Sequence, residues 1–315
     1  MQSSHATLVP PGRLIDRLRT APLQFRDGLL PALKSYRPLR LGGGRDAASP
    51  VLRRIGSLEV RLATTASEVR RAQRLRYRVF YEEGCAAADA MTRLLRRDTD
   101  SFDAICDHLL VIDHESRDRK GRPSVVGTYR LLPQAVAESH DGFYTSREFD
   151  IDDLTGRHRG LRFLELGRSC VLSAYRNKRT VELLWHGCWA YVRRHGLDVM
   201  FGCASFEGTD PDALALPLSY LHHYASAPEA WQTRAVGERY VGMNRMPKEA
   251  IDPRAALRML PPLVKGYLRL GASIGDGAVI DRQFGTTDVL IILPVAAISA
   301  RYIEHFAASG ERHAA

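Results

Sequence analysis

The sequence predicts a mixed α/β protein, one central mixed sheet with helices on both faces, and three observations carry that expectation. Strand-like segments fall at 58–63, 108–113, 125–132, 163–172, 199–205 and 287–293, the first and fourth alternating apolar with polar residues and the others built on short apolar stretches. Helical spacing appears between them, most clearly at Val181, Leu184, Trp185, Cys188, Trp189 and Val192. The resulting order interleaves strands and helices, which favours one layered core over separate domains. No repeat at a fixed period argues for a solenoid or propeller.

Taken in order, residues 1–56 are rich in Pro, Gly and Arg, with nine Arg and one Lys against three Asp, and read as an arm that folds poorly alone. Two pieces of it are amphipathic: Leu14, Ile15 and Leu18 beside Arg13, Arg17 and Arg19, then Phe25, Leu29, Leu30 and Leu33 beside Arg26 and Lys34. Such segments either lie on anionic lipid or serve as a solubilising arm. Residues 57–310 then form one globular domain. Its first strand is 58–63. Thr65 followed by Glu68 is a capping box, opening a helix to about Phe80 that carries Arg70, Arg71, Arg74, Arg76 and Arg78. An acidic loop spans 98–103, and the next two strands end at Arg130-Leu131-Leu132-Pro133. Strand 163–172 holds Glu165 and Arg168, with Gly167 as a bulge. A basic loop at Arg176, Lys178 and Arg179 leads into a helix that Thr180 caps. Then come strand 199–205, a helix at 212–225 with Pro217 inside it, a basic apolar segment at 260–270, strand 287–293 and a closing helix at 296–307.

Composition narrows the class. At 315 residues, 45% hydrophobic and 26% charged, the chain is long enough to bury a large core and ordinary for a soluble protein. The net charge of +9 points to an anionic partner. Because the excess is concentrated in the arm, a nucleic-acid groove across the main domain is disfavoured. Five scattered cysteines without a C-x-x-C pair fit a reducing compartment rather than a disulfide or zinc framework. The longest apolar run, 289–298, is short and broken by Pro294, and the N-terminus lacks an apolar signal core. A cytoplasmic protein, resting peripherally on a membrane, is expected.

Several motifs lead nowhere. His108 and Asp113 fit H-x-x-x-x-D, a signature of glycerolipid acyltransferases, but they bracket a strand, where positions five apart face opposite ways. Gly271, Gly275 and Gly277 lack the spacing of a dinucleotide fingerprint. Adjacent His222 and His223 do not suit one metal ion, and no Ser or Cys sits in a nucleophile elbow. A basic loop followed by a helix N-terminus beside a charged strand is, by contrast, a site for a phosphorylated ligand.

A more specific set is dispersed along the chain: Arg76 with Phe80, Asp100 with Asp103, Arg130, then Glu165 with Arg168. In this order it resembles the acyl-homoserine-lactone synthases over about residues 58–205, and implies an acetyltransferase-like (GNAT, acyl-CoA N-acyltransferase-like) fold. The Trp that follows the Phe in those enzymes has no counterpart near Cys85 and Ala86, which argues against a sulfonium-nucleoside substrate. Residues 260–271, the Gly275-Asp276-Gly277 turn and residues 281–288 are similar to the bacterial ornithine N-acyltransferases, and that likeness runs from about 58 to 305. It implies transfer of a 3-hydroxyacyl group from acyl carrier protein to the α-amine of L-ornithine, giving lyso-ornithine lipid. The donor is then the acyl-4'-phosphopantetheine of the carrier, no metal or redox cofactor is required, and the enzyme works at the inner face of the bacterial inner membrane. The alternatives are an acyl-homoserine-lactone-type synthase and a basic module that binds membrane or polyanion without catalysis.

The resemblance also distributes roles. Arg176, Asn177, Lys178, Arg179 and Thr180 would hold the pantetheine phosphate, and a loop with charge and no glycine suits a single phosphate held by side chains. The same cations, with the arginines of helix 67–80, would receive an acidic carrier protein. Glu165 is the first candidate for the base that frees the amine, or else an ion-pair partner of Arg168 or Arg130. Asp100 and Asp103 would bind the ammonium groups, Arg76 or Arg130 the carboxylate, and an amide near 169–171 the thioester oxyanion.

Overall fold

This computed structural model describes residues 51–300, 302 and 303, organised on an eight-stranded sheet. The strands are β1 (Val51–Ile55), β2 (Leu58–Leu62), β3 (Asp107–Arg117), β4 (Pro123–Pro133), β5 (Phe163–Val171), β6 (Val199–Glu207), β7 (Ser273–Asp281) and β8 (Thr286–Pro294). Their spatial order is β1-β2-β3-β4-β5-β6-β8-β7. Every neighbouring pair is antiparallel except β5 and β6, which run parallel.

Among the described residues the α-helices beside it include α1 (Ala66–Tyr77), α2 (Ala90–Leu95), α3 (Gln134–Glu138), α4 (Ile151–Arg157), α5 (Lys178–His195), α6 (Ala215–Tyr224), α7 (Pro253–Met259) and α8 (Pro262–Leu270). Neighbouring strand residues serve opposite faces. Leu164, Met200 and Ile291 join a core with Leu183, Leu184 and Val192 of α5, Leu218 and Leu221 of α6, and Val264 of α8. Phe163, Phe201 and Ile292 join a second core with Val136 and Ala137 of α3 and Ile151 and Leu154 of α4. The period of two along a strand therefore feeds two cores, each buried Leu or Ile contributing about 1.5–3 kcal/mol. A Cβ on Gly187 of α5 would meet Val60 and Leu109 at 2.8 Å, so the missing side chain lets α5 lie directly on β2 and β3.

The helix starts follow local chemistry, with some differences from the sequence reading. Thr65 Oγ1 accepts from Glu68 N at 3.3 Å, as expected. Glu68 answers by accepting from Thr64 N rather than from the capping residue itself. The helix does not run evenly to Phe80: after Tyr77 it widens into a π-helical turn at Arg78–Glu82. Thr180 does not cap α5. Asn177 does, accepting from Thr180 N at 3.1 Å, and Thr180 is fully buried in the first turn. An Asx side chain is the better N-cap acceptor here because Lys178 and Arg179 are already helical.

Other expectations are corrected. Val51–Ile55, assigned to the N-terminal arm, is the edge strand β1, paired with β2; the alternation of this short strand is masked by Arg53 and Arg54. The Gly275–Gly277 turn lies inside β7, whose register against β8 shifts between Ile274 and Ala278. The proline in α6 falls in its first turn, where no hydrogen bond is lost. Residues 1–50, with both amphipathic pieces, and 304–307 of the closing helix lie outside the described residues. Among the described residues no helix is long and apolar enough to cross a membrane.

Candidate active site

The parallel ladder between β5 and β6 is short. It holds Phe163, Leu164 and Glu165 against Val199, Met200 and Phe201, then stops although both strands continue for six more residues. At the branch a Cβ on Gly202 would sit 2.2 Å from Leu166 O, so any side chain there would force the strands apart earlier. The gap is a cavity of about 450 Å³, lined by Leu166–Ser169 on one side and Cys203–Ser205 on the other. Phe80, Glu83, Arg176, Leu263 and Phe284 also line it. A second hollow of about 520 Å³, between α3 and α4, has no β5 or β6 residue in its lining and none of the residues singled out from the sequence.

One side of the cavity is backed by a lattice of arginines and carboxylates. Arg76, with no exposed surface, donates from Nε to Asp98 Oδ2 and from Nη2 to Asp103 Oδ2, both at 2.7 Å. Gln73 Nε2 also donates to Asp103, at 2.9 Å. Arg130 Nη1 donates to both oxygens of Asp100, at 2.6 and 2.7 Å. Arg168 Nη2 reaches Asp100 at 3.3 Å and Tyr144 Oη at 3.4 Å, and its Nε lies 3.4 Å from Asp98. Burial alone would raise the Asp103 carboxyl, but Arg76 and Arg130 together hold it well below the usual carboxylate range. Asp100 is likewise lowered against its burial, by Arg130 and then Arg168. His108 donates from Nε2 to Asp103 O, and burial pulls its pKa down to about 4, so it is neutral.

Arg168 owes its position to a bulge. Thr128 and Arg130 of β4 pair with Cys170 and Gly167 of β5, so β5 carries one extra residue there. The bulge was expected at Gly167, but the left-handed residue is Arg168, with φ 51°. A non-glycine residue in that region stores on the order of 1 kcal/mol, and the strain turns the guanidinium into the cavity. There it is sandwiched between the rings of Tyr144 and Phe284, 4.8 and 4.6 Å from their centroids.

Glu165 is occupied differently from either expectation. Its Oε1 accepts from Thr145 N at 2.7 Å and Thr145 Oγ1 at 2.5 Å, and its Oε2 from Tyr144 N at 3.0 Å. The carboxylate therefore pins the 144–145 turn instead of pairing with Arg168 or Arg130. Burial still raises its pKa, outweighing those hydrogen bonds.

The other side of the cavity is acidic. Glu148 follows the 144–147 turn, Asp281 ends β7 and Asp288 lies in β8; one oxygen from each falls within 4.8 Å of the others. Arg239 pairs with Glu148 Oε1 at 3.2 Å, and Cys203 Sγ donates to its Oε2 at 3.2 Å. Burial raises Glu148, and burial with the Glu148 charge pushes Asp288 up to about 7.

Of the residues singled out from the sequence, Phe80, Arg130, Glu165, Arg168 and Arg176 line the cavity. Arg76, Asp100 and Asp103 stand behind it, their charges spent on one another, so the two aspartates are not open to a substrate's ammonium groups. In the basic loop Arg176 is exposed and pairs with Glu83 at 3.0 Å. Asn177 and Thr180 bond each other, and Lys178 and Arg179 are exposed on the first turn of α5. Sequence reasoning gave no site role to Asp98, Tyr144, Phe284, Glu148, Asp281 or Asp288. Two signals were available: Asp288 is a carboxylate inside an apolar segment, and Asp281, Phe284 and Asp288 all fall in the 281–288 stretch that carries the family likeness.

The splayed parallel pair and its lined cavity define an acyltransferase-type site, and the family model described as an acetyltransferase (GNAT) domain matches residues 75–186. The L-ornithine N(alpha)-acyltransferase of Rhizobium meliloti is 55% identical over 84% of this chain and 89% of its own. That of Brucella abortus is 56% identical over 83% of this chain and 93% of its own. Among solved structures, FeeM, an N-acyl amino acid synthase from uncultured soil microbes, aligns with a TM-score of 0.43 at 11% identity, covering 76% of this chain and 91% of that one. This chain is a GNAT-fold acyltransferase. It belongs to the L-ornithine N(alpha)-acyltransferase family.

Proposed function

We propose that the protein moves a 3-hydroxyacyl group from the phosphopantetheine of acyl carrier protein to the α-amine of L-ornithine, forming lyso-ornithine lipid. The observation that carries this reading is the cleft where β5 and β6 part, open to a thioester arm and lined by charge on both sides. The thioester lies along β5 beyond Glu165, where the strand no longer pairs with β6, so its backbone amides can meet the carbonyl oxygen as it becomes an oxyanion. Arg168, fixed between two rings, takes the acceptor's carboxylate.

The acceptor amine loses one proton to water in the open cleft and attacks the carbonyl carbon as a neutral nitrogen. The C–N bond forms, the C–S bond breaks, and the second amine proton passes to the departing thiolate. In this reading Glu165 positions Tyr144, and through it Arg168, without itself taking the proton. Arg176 at the cavity mouth, with Lys178 and Arg179 on the positive end of an 18-residue helix, supplies the face for the acidic carrier and its phosphate. The product is a lipid, which gives a peripheral membrane contact a purpose.

Incubating the purified chain with 3-hydroxyacyl carrier protein and ornithine tests the reading. Stoichiometric carrier thiol and an amide-linked lipid are expected. Product with another amino acid, and none with ornithine, would leave the enzyme class standing and overturn the acceptor.

A further inference from the structure

Three carboxylates on the acidic side of the cleft are used neither by the lattice of arginines nor by the steps above. Asp288 lines the cavity but is only 7% exposed, and its Oδ1 is buried without a well-aligned hydrogen-bond partner. A buried carboxylate oxygen left open is rare and marks a missing donor. Glu148 and Asp281 bring their oxygens within 4.8 Å of it, and Arg239 neutralises part of that charge. The hydroxyls of Ser205 and Thr286, which also line the cavity, approach Asp288 without offsetting its burial and the Glu148 charge. Across the same cavity stands Arg168, near enough for its charge to act on Glu148.

A cavity with a guanidinium at one end and an acidic cluster at the other is complementary to a molecule with a carboxylate and a distal ammonium. We propose that Asp288, Asp281 and Glu148 form the subsite for the side-chain ammonium of the acceptor diamino acid, setting both its identity and which of its amines is acylated. The proposal rests on the acceptor reading above and extends it. With the carboxylate on Arg168 and the distal ammonium among the three acids, the α-amine is the nitrogen left beside the thioester, and the distal one is held charged and non-nucleophilic. An ammonium offers three donors to three acceptors. A divalent metal fits less well, since it would compete with Arg239 and Cys203 for Glu148 and still need further oxygens.

The test compares ornithine with 2-aminopentanoate, the same chain without the distal amine, using 3-hydroxyacyl carrier protein and full-length enzyme. Wild type should favour ornithine by at least about a hundredfold in kcat/KM, because the analogue leaves buried acids unpaired. Asp288→Asn, and independently the more exposed Asp281→Asn, should raise KM for ornithine roughly tenfold to a hundredfold, KM moving more than kcat, and should shrink the preference. Product from the variants should include acylation at the distal nitrogen. Equal use of both amino acids by wild type, or an undiminished preference in both variants, overturns the proposal while leaving the acyltransfer reading intact. Activity lost to a chelator and restored by magnesium would assign the three acids to a metal and overturn it as well. If ornithine yields no product and another amine does, the acceptor reading itself falls, and the proposal with it.

Discussion

On one side of the cleft Arg76, Arg130 and Arg168 stand against Asp98, Asp100 and Asp103; on the other, Glu148, Asp281 and Asp288 have Arg239, itself 37% exposed. Burial raises the carboxylates of both groups, yet their net shifts run in opposite directions. Asp100 and Asp103 are held low because each meets a guanidinium at hydrogen-bond distance, while Glu148 and Asp288 are raised by burial first, with Asp281 adding to it at Glu148 and Glu148 adding to it at Asp288. The first arrangement closes on itself, with charges matched and most polar atoms bonded. The second sets three carboxylates against one arginine. Charge that is buried and paired builds the wall; charge that is buried and crowded marks where a ligand belongs.

The largest effect should come from opening the closed side. Arg76→Met keeps the volume of a fully buried side chain and removes a charged donor from both Asp98 and Asp103. A loss of about 3–5 kcal/mol in denaturant unfolding is expected, as for other broken buried pairs. A loss below about 1 kcal/mol would mean that the lattice is not what holds α1 to the acidic loop, and the contrast between the two sides would fail.

The crowded side makes the opposite prediction with pH. Asp288 titrates near 7 in the folded chain and near 3.8 when exposed. Between those values the folded state holds a proton that the unfolded state has released, so stability falls as pH rises from about 4 to about 7. Asp288→Asn should flatten that slope and leave the variant more stable than wild type at pH 8, on the order of a few kcal/mol. Asp100 and Asp103, with lowered pKa values, contribute stability that is present above about pH 4 and lost below it. Urea midpoints across pH 3–8 for both proteins read the two signs separately; a parallel shift of the two curves would remove Asp288 as the source.

The same difference explains what the sequence could reveal. The arginines and acids of the closed side were legible because each sits at a fixed offset on one element: Arg76 with Phe80 on a helix, Asp100 with Asp103 in a loop, Glu165 with Arg168 on a strand. Their shared location was legible only through family likeness, since they are brought together across β4 and β5. The acidic side is drawn from a turn, the end of β7 and the middle of β8, with no local spacing to signal it. Strands β2 and β5 were readable from alternation, and β3, β4, β6 and β8 from short apolar stretches. Strand β7 was hidden by Gly275 and Gly277, and β1 by two arginines, because an edge strand needs only one apolar face. The role of Glu165 was unreadable for another reason. Its partners are two backbone amides and a hydroxyl, and no pattern of side chains announces them.

Glu165 lies between the two cases, buried and raised yet saturated by neutral donors, and so it refines the comparison. Glu165→Gln keeps the shape but turns an NH₂ group toward donors at Tyr144 or Thr145, costing about 1–3 kcal/mol of stability. Thr145→Val removes one hydroxyl bond and should cost about 1 kcal/mol. If Glu165 acts by holding the turn, both variants raise KM for the acceptor through Tyr144 and Arg168, in proportion to their stability losses. A kcat collapse in Glu165→Gln alone, with stability and KM near wild type, would make it the proton acceptor.

The smallest effect belongs to charge outside both sides. Arg176 and Glu83 pair at the cavity mouth, with the arginine side chain 52% exposed. Water and salt screen such a pair, and Arg176→Ala should cost less than about 1 kcal/mol of stability. Its effect on function should be of another kind: a several-fold higher KM for acyl carrier protein at low ionic strength, fading as salt approaches a few tenths molar and the screening length falls below about 6 Å. Steady-state assays over a salt series measure it. A stability loss of several kcal/mol, insensitive to salt, would move Arg176 into the closed lattice, and the distinction between charge that builds the wall and charge that meets a partner would have to be redrawn at the mouth of the cleft.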